Sequence, residues 1–176
     1  MQKNKILELY SKKAGSYDFW GSLFDSKTFS KINELVNIKD GEFFLEAAVG
    51  TGRNFVKIAQ KNPNGQNLGI DITQEMLEKA NEKINEYDLK NTKVVKSDVR
   101  NIPIENNKVD LITCNFLFAL LPEKDYQKVL KEFRRIMKPN ARLILTTMIK
   151  GEKWHNKLCY QIVRIFPRLI AGYKKK

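Results

Sequence analysis

The sequence predicts an α/β protein built on a doubly wound, mostly parallel β-sheet. Two observations predict it. From residue 42 onward, short apolar runs alternate with amphipathic helical patterns, as in strands joined by crossover helices. The first run ends at a glycine-bearing turn and each of the next two ends at an acid, at the strand ends where such sheets bind ligands. At 176 residues the chain has the usual size of one domain, so we expect one packed core.

Five apolar runs are typical of β-strands. They cover residues 42–48, 67–72, 93–98, 108–116 and 141–149. Three helical patterns lie between them, and the last two repeat apolar residues at i, i+3 and i+4, which places them on one helix face. We expect Thr73 to cap the helix after the second strand, and Pro139-Asn140 to end the helix before the fifth.

The two ends of the chain differ from this central α/β core, which we assign to residues 41–150 of the single domain. Residues 1–40 are predicted to be helical, and their aromatic cluster, which includes Tyr17, either covers the ligand site as a lid or belongs to the core. Residues 151–176 predict a basic amphipathic helix. Such a helix lies on an anionic membrane or packs on the fifth strand, whose uncovered edge would otherwise favour a homodimer.

Composition excludes several classes of protein. Two cysteines and one histidine do not make a disulfide framework or a zinc site, and we predict no metal. No apolar run approaches the roughly 20 residues that cross a bilayer, and the first residues lack a secretory signal, so we expect a cytoplasmic protein, with peripheral membrane contact as the alternative. The net charge of +12 indicates either a polyanionic partner or lysines scattered over a solvated surface.

The turn after the first strand points to a nucleoside site. Gly50 and Gly52 allow the backbone to pass close under a ligand, which a Cβ there would strike. Asp71 lies 21 residues after Gly50, near the spacing at which an acid accepts from the two hydroxyls of a ribose. Asp98 ends the third strand, where it can accept from an adenine amino group. Together with Glu46 near the end of the first strand, three acids at successive strand ends therefore predict a nucleoside-binding edge.

A nicotinamide dinucleotide does not fit this turn. The third glycine of the dinucleotide motif would fall on Phe55, whose ring would obstruct close contact between helix and strand. Glu46, an acid before the glycines, is unsuited to a pyrophosphate but suits a cation that carries an ammonium and a sulfonium. S-adenosylmethionine is such a ligand.

Four motifs in order, LEAAVGTG, GIDIT-EML, SDVRNIPIENNKVDLITCNF and LKEFRRIMKPNARLILT, resemble the class I S-adenosylmethionine-dependent methyltransferases. The likeness covers roughly residues 6–149 and is greatest to the branch that includes ubiquinone/menaquinone and phospholipid methyltransferases. It implies the Rossmann-like methyltransferase fold, with S-adenosylmethionine as cofactor and S-adenosylhomocysteine as product. The family sheet has two further strands after the fifth, and only 27 residues remain here after residue 149.

The resemblance also implies the cofactor-binding residues. They are Glu46, Ala48, Gly50, Thr51, Gly52, Asp71, Ile72, Met76, Asp98, Val99, Asn115, Phe116 and Tyr17. Glu46 and the glycines would line the methionine part, Asp71 the ribose, Ile72 and Met76 the adenine face, and Asp98 with the Val99 amide the adenine edge. Asn115 and Phe116 would face the methyl group, Asn115 being a positional candidate only, because no catalytic acid or base is identified. Ala48 stands where the family has a glycine.

The resemblance implies methyl transfer to a small hydrophobic or lipid-like acceptor. Two alternatives remain. A nucleic-acid methyltransferase would explain the positive charge, but Asn115-Phe116-Leu117-Phe118 lacks the Asn/Asp-Pro-Pro-aromatic signature of enzymes that act on base amino groups. A truncated, non-catalytic module would bind the cofactor without turnover.

Overall fold

The computed structural model describes residues 32–147, and they contain a five-stranded sheet in the order β3-β2-β1-β4-β5. All neighbouring strands pair in parallel, as the alternating pattern predicts. The strands are β1 (Phe43–Ala47), β2 (Gln66–Asp71), β3 (Thr92–Lys96), β4 (Val109–Asn115) and β5 (Met137–Thr146). The helices between them are α1 (Phe55–Ala59), α2 (Gln74–Glu86) and α3 (Glu123–Ile136), with a 3₁₀ turn at Leu117–Ala119. None of the described helices is long and apolar enough to cross a bilayer.

Each face of the sheet carries its own hydrophobic core, because successive side chains of a strand point to opposite faces. Leu45 and Ala47 of β1 pack with Phe133 of α3 on one face. Phe44 packs on the other face with Phe55 of α1, at a ring-centroid distance of 5.6 Å. Phe55 is thus a buried core residue at the position where a dinucleotide site would need its third glycine.

Of the predicted lid, residues 1–40, the structure describes residues 32–40. Residues 32–36 are helical. Ile32 and Val36 are buried in the core beside Phe44, so this part of the segment belongs to the core. Tyr17 and the predicted basic helix at 151–176 lie outside the described residues.

The junction between α3 and β5 differs from the sequence prediction. Helix α3 ends at Ile136, β5 begins at once with Met137, and Pro139-Asn140 lies inside the strand rather than at the end of the helix. The register with β4 shifts between Val109 and Leu111, and Asn140 has a φ of +67°, as an irregularity in the strand requires. Pairing of Met137 with Val109 extends the strand across the proline.

At the amino-terminal edge of the sheet, asparagine side chains hydrogen-bond neighbouring segments to one another. Asn62 donates to Oδ1 of Asn67 over 2.9 Å and to the carbonyl of Glu42 over 2.9 Å, and its Oδ1 accepts from the amide of Gly41. Asn91 donates to the carbonyls of Asn62 and Gly65. The amides of the two buried asparagines, Asn62 and Asn67, are hydrogen-bonded here, as buried polar groups normally are.

Candidate functional site

The carboxyl edge of the sheet contains a buried carboxylic acid with one unpaired oxygen. The side chain of Glu46, near the end of β1, is 3% exposed. Its Oε1 accepts a hydrogen bond of 2.8 Å from Nδ2 of Asn115, and its Oε2 has no partner. Burial raises the pKa of Glu46 to about 8, although the Asn115 hydrogen bond opposes the rise. The acid is therefore largely protonated at neutral pH in the free protein.

Other polar atoms near this edge are also buried without a hydrogen bond. Thr113 is the β4 residue in register with Glu46, and its Oγ1 is unpaired. Both polar atoms of the Asn54 amide are buried and unpaired as well. Asn54 lies close enough to Glu46 to lower the pKa of that acid, but it forms no hydrogen bond of ordinary geometry. Orphaned buried groups are rare in folded proteins, so these atoms mark this edge as a candidate site for a polar or cationic ligand group.

The turn after β1 uses the left-handed backbone conformation three times in five residues. The φ angles of Ala48, Gly50 and Gly52 are +59°, +55° and +76°. The amide of Gly50 donates to Oδ2 of Asp71 over 2.9 Å, so the turn is held by the acid at the end of β2. Ala48 has a Cβ where the conformation favours glycine, and this strains the turn.

The two glycines serve different purposes. A Cβ built on Gly50 meets nothing within 4 Å, which leaves room for a ligand above the turn. A Cβ on Gly52 would lie 2.9 Å from Cβ of Ala80 in α2. The expectation that a Cβ at Gly52 would strike a ligand is therefore wrong, because Gly52 allows helix α2 to pack against the turn. Lys83 of the same helix donates to the carbonyl of Thr51 over 3.0 Å and fixes the turn further.

Asp71 organises the backbone at the end of β2. Its Oδ1 accepts from the amide of Thr73 over 2.9 Å, while its Oδ2 accepts from Gly50. Burial raises the pKa of Asp71, and these backbone hydrogen bonds oppose the rise. Thr73 occupies the N-cap position of α2 but makes no capping hydrogen bond through its side chain, so the expected cap is absent. Asp71 thus holds both the turn after β1 and the segment after β2. Its predicted contact with a ribose stays a prediction.

Two apolar residues follow Asp71 at the predicted adenine face. Met76, in the first turn of α2, is only 2% exposed, and Ile72 is half-buried. Ile72 is thus the more accessible of the two. Their predicted contact with adenine stays a prediction.

The loop after β3 contains an ion pair that the sequence analysis missed. Asp98 accepts from Nε and Nη2 of Arg100 over 2.8 and 2.6 Å, and from the Arg100 amide over 3.0 Å. Nη1 of Arg100 donates to Oδ2 of Asp125, in the first turn of α3, over 2.9 Å. The pairing with Asp98 raises the pKa of Arg100, so the guanidinium stays charged. Val99 between them is buried in the core. The predicted adenine contacts of Asp98 and Val99 remain predictions.

At the end of β4, Asn115 connects three strands. Its Nδ2 donates to Glu46 of β1 and its Oδ1 accepts from the hydroxyl of Thr146 in β5. Its amide therefore orients the buried acid, which the sequence did not indicate. Phe116 follows with a φ of +61°, and a bulky residue in this conformation is a genuine outlier of the kind found at functional sites.

An apolar loop continues from this point. Residues 116–121 are all partly exposed, and the sequence there is Phe-Leu-Phe-Ala-Leu-Leu. Tyr126 of α3 donates its hydroxyl to the carbonyl of Phe118 over 2.6 Å, and the two rings meet edge to face at 5.1 Å. Leu117, Phe118 and Leu121 pack on the core. The loop therefore presents a fixed apolar wall beside the polar edge.

Some residues of this edge were beyond the sequence analysis. Thr113 lies two residues before Asn115, so strand alternation would have placed it on the same face as Asn115. Asn54 carries no comparable signal, and neither does the contact between Arg100 and Asp125, because those two residues lie in different elements. Within residues 32–147, no group of three or more histidine, cysteine or acidic residues is arranged to hold a metal ion.

Known proteins that resemble this chain include methyltransferases. The family model described as "Methyltransferase domain" matches residues 44–140. The demethylmenaquinone methyltransferase of Listeria welshimeri is 28% identical over 147 residues, which are 81% of this chain and 61% of that protein. The demethylmenaquinone methyltransferase of Staphylococcus saprophyticus is 26% identical over 97% of this chain and 74% of its own length. The chain thus spans about 61% of the length of the Listeria relative.

Solved structures share the fold. A SAM-dependent methyltransferase from Aquifex aeolicus superposes with a TM-score of 0.63 at 28% identity, covering 81% of this chain and 78% of that one. Phosphoethanolamine N-methyltransferase 2 of Haemonchus contortus, solved with S-adenosyl-L-methionine, has a TM-score of 0.64 at 18% identity over 85% of this chain and 34% of its own. The second likeness shows the fold alone.

Proposed function

This chain belongs to the methyltransferase domain family, and on that premise we propose that it transfers a methyl group from S-adenosylmethionine to a small hydrophobic acceptor with a quinone-like ring. The observation that carries the proposal is the buried, unpaired Oε2 of Glu46 at the carboxyl edge of the sheet. The curated relatives supply the acceptor class, since they are demethylmenaquinone methyltransferases.

The residues of the edge suit this cofactor. The unpaired oxygen of Glu46 can accept from the cofactor's ammonium group, which compensates for burial of the acid. The open space at Gly50 leaves room for the rest of the methionine part. Asp71 ends β2 and Asp98 lies in the loop after β3, where the ribose and the adenine are expected.

The apolar loop at 116–121 supports a hydrophobic acceptor. Phe116 and Leu120 of this loop are partly exposed, and neither belongs to the described core clusters. An apolar acceptor buried against such side chains gains roughly 25 cal/mol for each Å² removed from water. This wall gives the acceptor affinity without any charged group.

The protein's contribution to the reaction is alignment and exclusion of water. When bound, the cofactor supplies a methyl group on a sulfonium, and its transfer is an in-line displacement. Glu46 would hold the ammonium end, Asn115 would keep Glu46 in place, and the apolar loop would hold the acceptor on the other side. No general base is assigned among these residues, so the acceptor reacts as an ionised or uncharged nucleophile, such as the phenolate of a reduced quinone.

The experiment is a methylation assay of the purified full chain with S-adenosylmethionine and demethylated naphthoquinols, followed by mass spectrometry. We expect the quinol to gain the mass of one CH2 unit, because a methyl group replaces a hydrogen that leaves as a proton. Leu120→Ala should raise the KM for the quinol several-fold and leave cofactor affinity unchanged. Leu130→Ala is the matched control, because Leu130 is 40% exposed on α3 in the described structure. Failure to methylate any quinol, with the cofactor still bound, would refute the acceptor class.

The two alternatives are outcomes of related measurements. Methylation of RNA, with affinity that falls steeply as salt rises, would favour a nucleic-acid methyltransferase. Cofactor binding without turnover on quinols, lipids or RNA would favour a non-catalytic module. Both the membrane contact of residues 151–176 and a homodimer remain predictions.

A further inference from the structure

We propose that Arg100, held by Asp125, is a positioning residue that fixes the carboxylate of Asp98 and thereby selects adenine over a nucleobase with a carbonyl at the same position. This inference rests on the proposed function, since it concerns the same cofactor site. It adds two residues, Arg100 and Asp125, that neither the motifs nor the comparisons assign.

The geometry of the ion pair carries the argument. Arg100 approaches Asp98 side-on, with Nε on Oδ1 and Nη2 on Oδ2, and its backbone amide adds a third hydrogen bond to Oδ1. Two parallel hydrogen bonds from a planar guanidinium define the plane of the carboxylate as well as its position. Asp98 therefore presents its oxygens in one orientation.

Asp125 fixes the guanidinium in turn. Its Oδ2 accepts from the remaining terminal nitrogen, Nη1, over 2.9 Å. Only 26% of the side chain of Arg100 and 18% of that of Asp125 is exposed, so water screens the pair less than a pair on the open surface. Asp125 lies in the first turn of α3, directly after the apolar loop, so the pair also connects the adenine side of the site to the acceptor side.

The loop from Asp98 onward is attached to α3 at a second point. The amide of Ile102 donates to Oε1 of Glu132 over 2.6 Å, and Nη2 of Arg135 donates to the carbonyl of Ile102 over 3.0 Å. The backbone of the loop therefore has an anchor independent of Arg100. Loss of the two guanidinium hydrogen bonds from Arg100, which we call the fork, should release the Asp98 side chain while the backbone of the loop stays in place.

A fixed Asp98 carboxylate should favour a nucleobase that presents a hydrogen-bond donor to it, such as the amino group of adenine. A carboxylate oxygen accepts hydrogen bonds from more than one donor, so pairing with Arg100 is compatible with an adenine amino group on Asp98. A carbonyl in place of that amino group, as in hypoxanthine, would face the carboxylate with a second acceptor. A rigid Asp98 cannot turn away from this repulsion, whereas a released one can.

The test compares S-adenosylhomocysteine with S-inosylhomocysteine, in which a carbonyl replaces the amino group, by calorimetric titration of the full chain. We expect wild type to prefer the adenosyl compound by about 10- to 100-fold, the range that a hydrogen bond to a charged group provides. Arg100→Lys keeps the charge but loses the fork, and Asp125→Asn removes the second anchor. Both should reduce the preference several-fold, because a released Asp98 holds the adenosyl compound less well and can turn away from the carbonyl of the inosyl compound. Lys138→Gln, which breaks a comparable ion pair with Asp110 at the opposite edge, should leave it unchanged.

Other results would overturn the inference. Equal weakening of both ligands in Arg100→Lys would assign Arg100 a purely structural role. An unchanged preference in both variants, or none in wild type, would remove Arg100 and Asp125 from adenine selection while the proposed function stands. A folded wild type that binds neither ligand would refute the proposed function itself.

Discussion

Nδ2 of Asn115 donates a 2.8 Å hydrogen bond to Oε1 of Glu46, and so joins the ends of β4 and β1 across 69 residues of sequence. The bond leaves Oε2 of Glu46 as an unpaired acceptor. Because the acid is buried, it carries a proton until a cation or a higher pH replaces it.

Affinity for S-adenosylmethionine should depend on the ionisation of Glu46. Burial raises the pKa of Glu46 to about 8, and only the ionised acid pairs with the cofactor's ammonium. The affinity of wild type should therefore fall as pH is lowered below about 8, by up to about tenfold per pH unit. Calorimetry from pH 6 to 8 in buffers of different ionisation enthalpy should also detect a proton released on binding. Glu46→Gln is the control, since the cofactor's own titration is common to both proteins; identical pH profiles would contradict the prediction.

The stability of the free protein should respond to the same acid. A carboxyl whose pKa is raised on folding binds a proton more tightly in the folded state, so stability is highest below the unfolded value of 4.5 and falls as pH rises through about 8. The free energy of unfolding of wild type relative to Glu46→Gln should fall between pH 5 and 8, with a limiting slope of about 1.4 kcal/mol per pH unit. Urea denaturation of both proteins at each pH measures this difference. A constant difference would show that Glu46 ionises normally.

Ala48→Gly should stabilise the protein. Ala48 has a φ of +59°, a left-handed conformation that costs an L-residue about 1 to 2 kcal/mol and glycine little. Greater freedom of glycine in the unfolded chain offsets part of this gain, so we expect about 0.5 to 1 kcal/mol in urea denaturation. Ala59→Gly in α1 is the matched control and should destabilise, because its backbone is helical. Loss of stability in Ala48→Gly would be inconsistent with a strained turn.

Substitutions of the two turn glycines should separate folding from binding. Gly52→Ala places a Cβ against Ala80 and should destabilise the fold by about 2 to 4 kcal/mol, since backbone strain and overpacking add. Gly50→Ala meets open space and should cost only the strain, about 1 to 2 kcal/mol, while its Cβ occupies room for the cofactor. Thermal unfolding and calorimetric titration of both variants test this. Equal losses of affinity at equal stability would mean that both glycines face the ligand.

Much of the fold was predictable because it depends on neighbouring residues. Apolar runs and helical spacing predicted five parallel strands, and the structure confirms them. Prediction failed where a local signal competed with a distant partner: Pro139-Asn140 should end a helix, but pairing of Met137 and Arg142 with β4 on either side places these residues within β5. A second prediction failed within a single loop: Thr73 lies at the N-cap position of α2, but its side chain makes no capping hydrogen bond.

The sequence by itself determined the order of the strands along the chain, the turn that ends β1, and the acids that end β1 and β2 and follow β3. Those features depend on residue type and spacing within a few residues. Only the tertiary structure decided that Asn115 binds Glu46, that Gly52 faces Ala80, and that Arg100 bridges Asp98 and Asp125. Sheet order and helix packing bring these residues together from elements far apart in the chain, and no local pattern encodes such a contact.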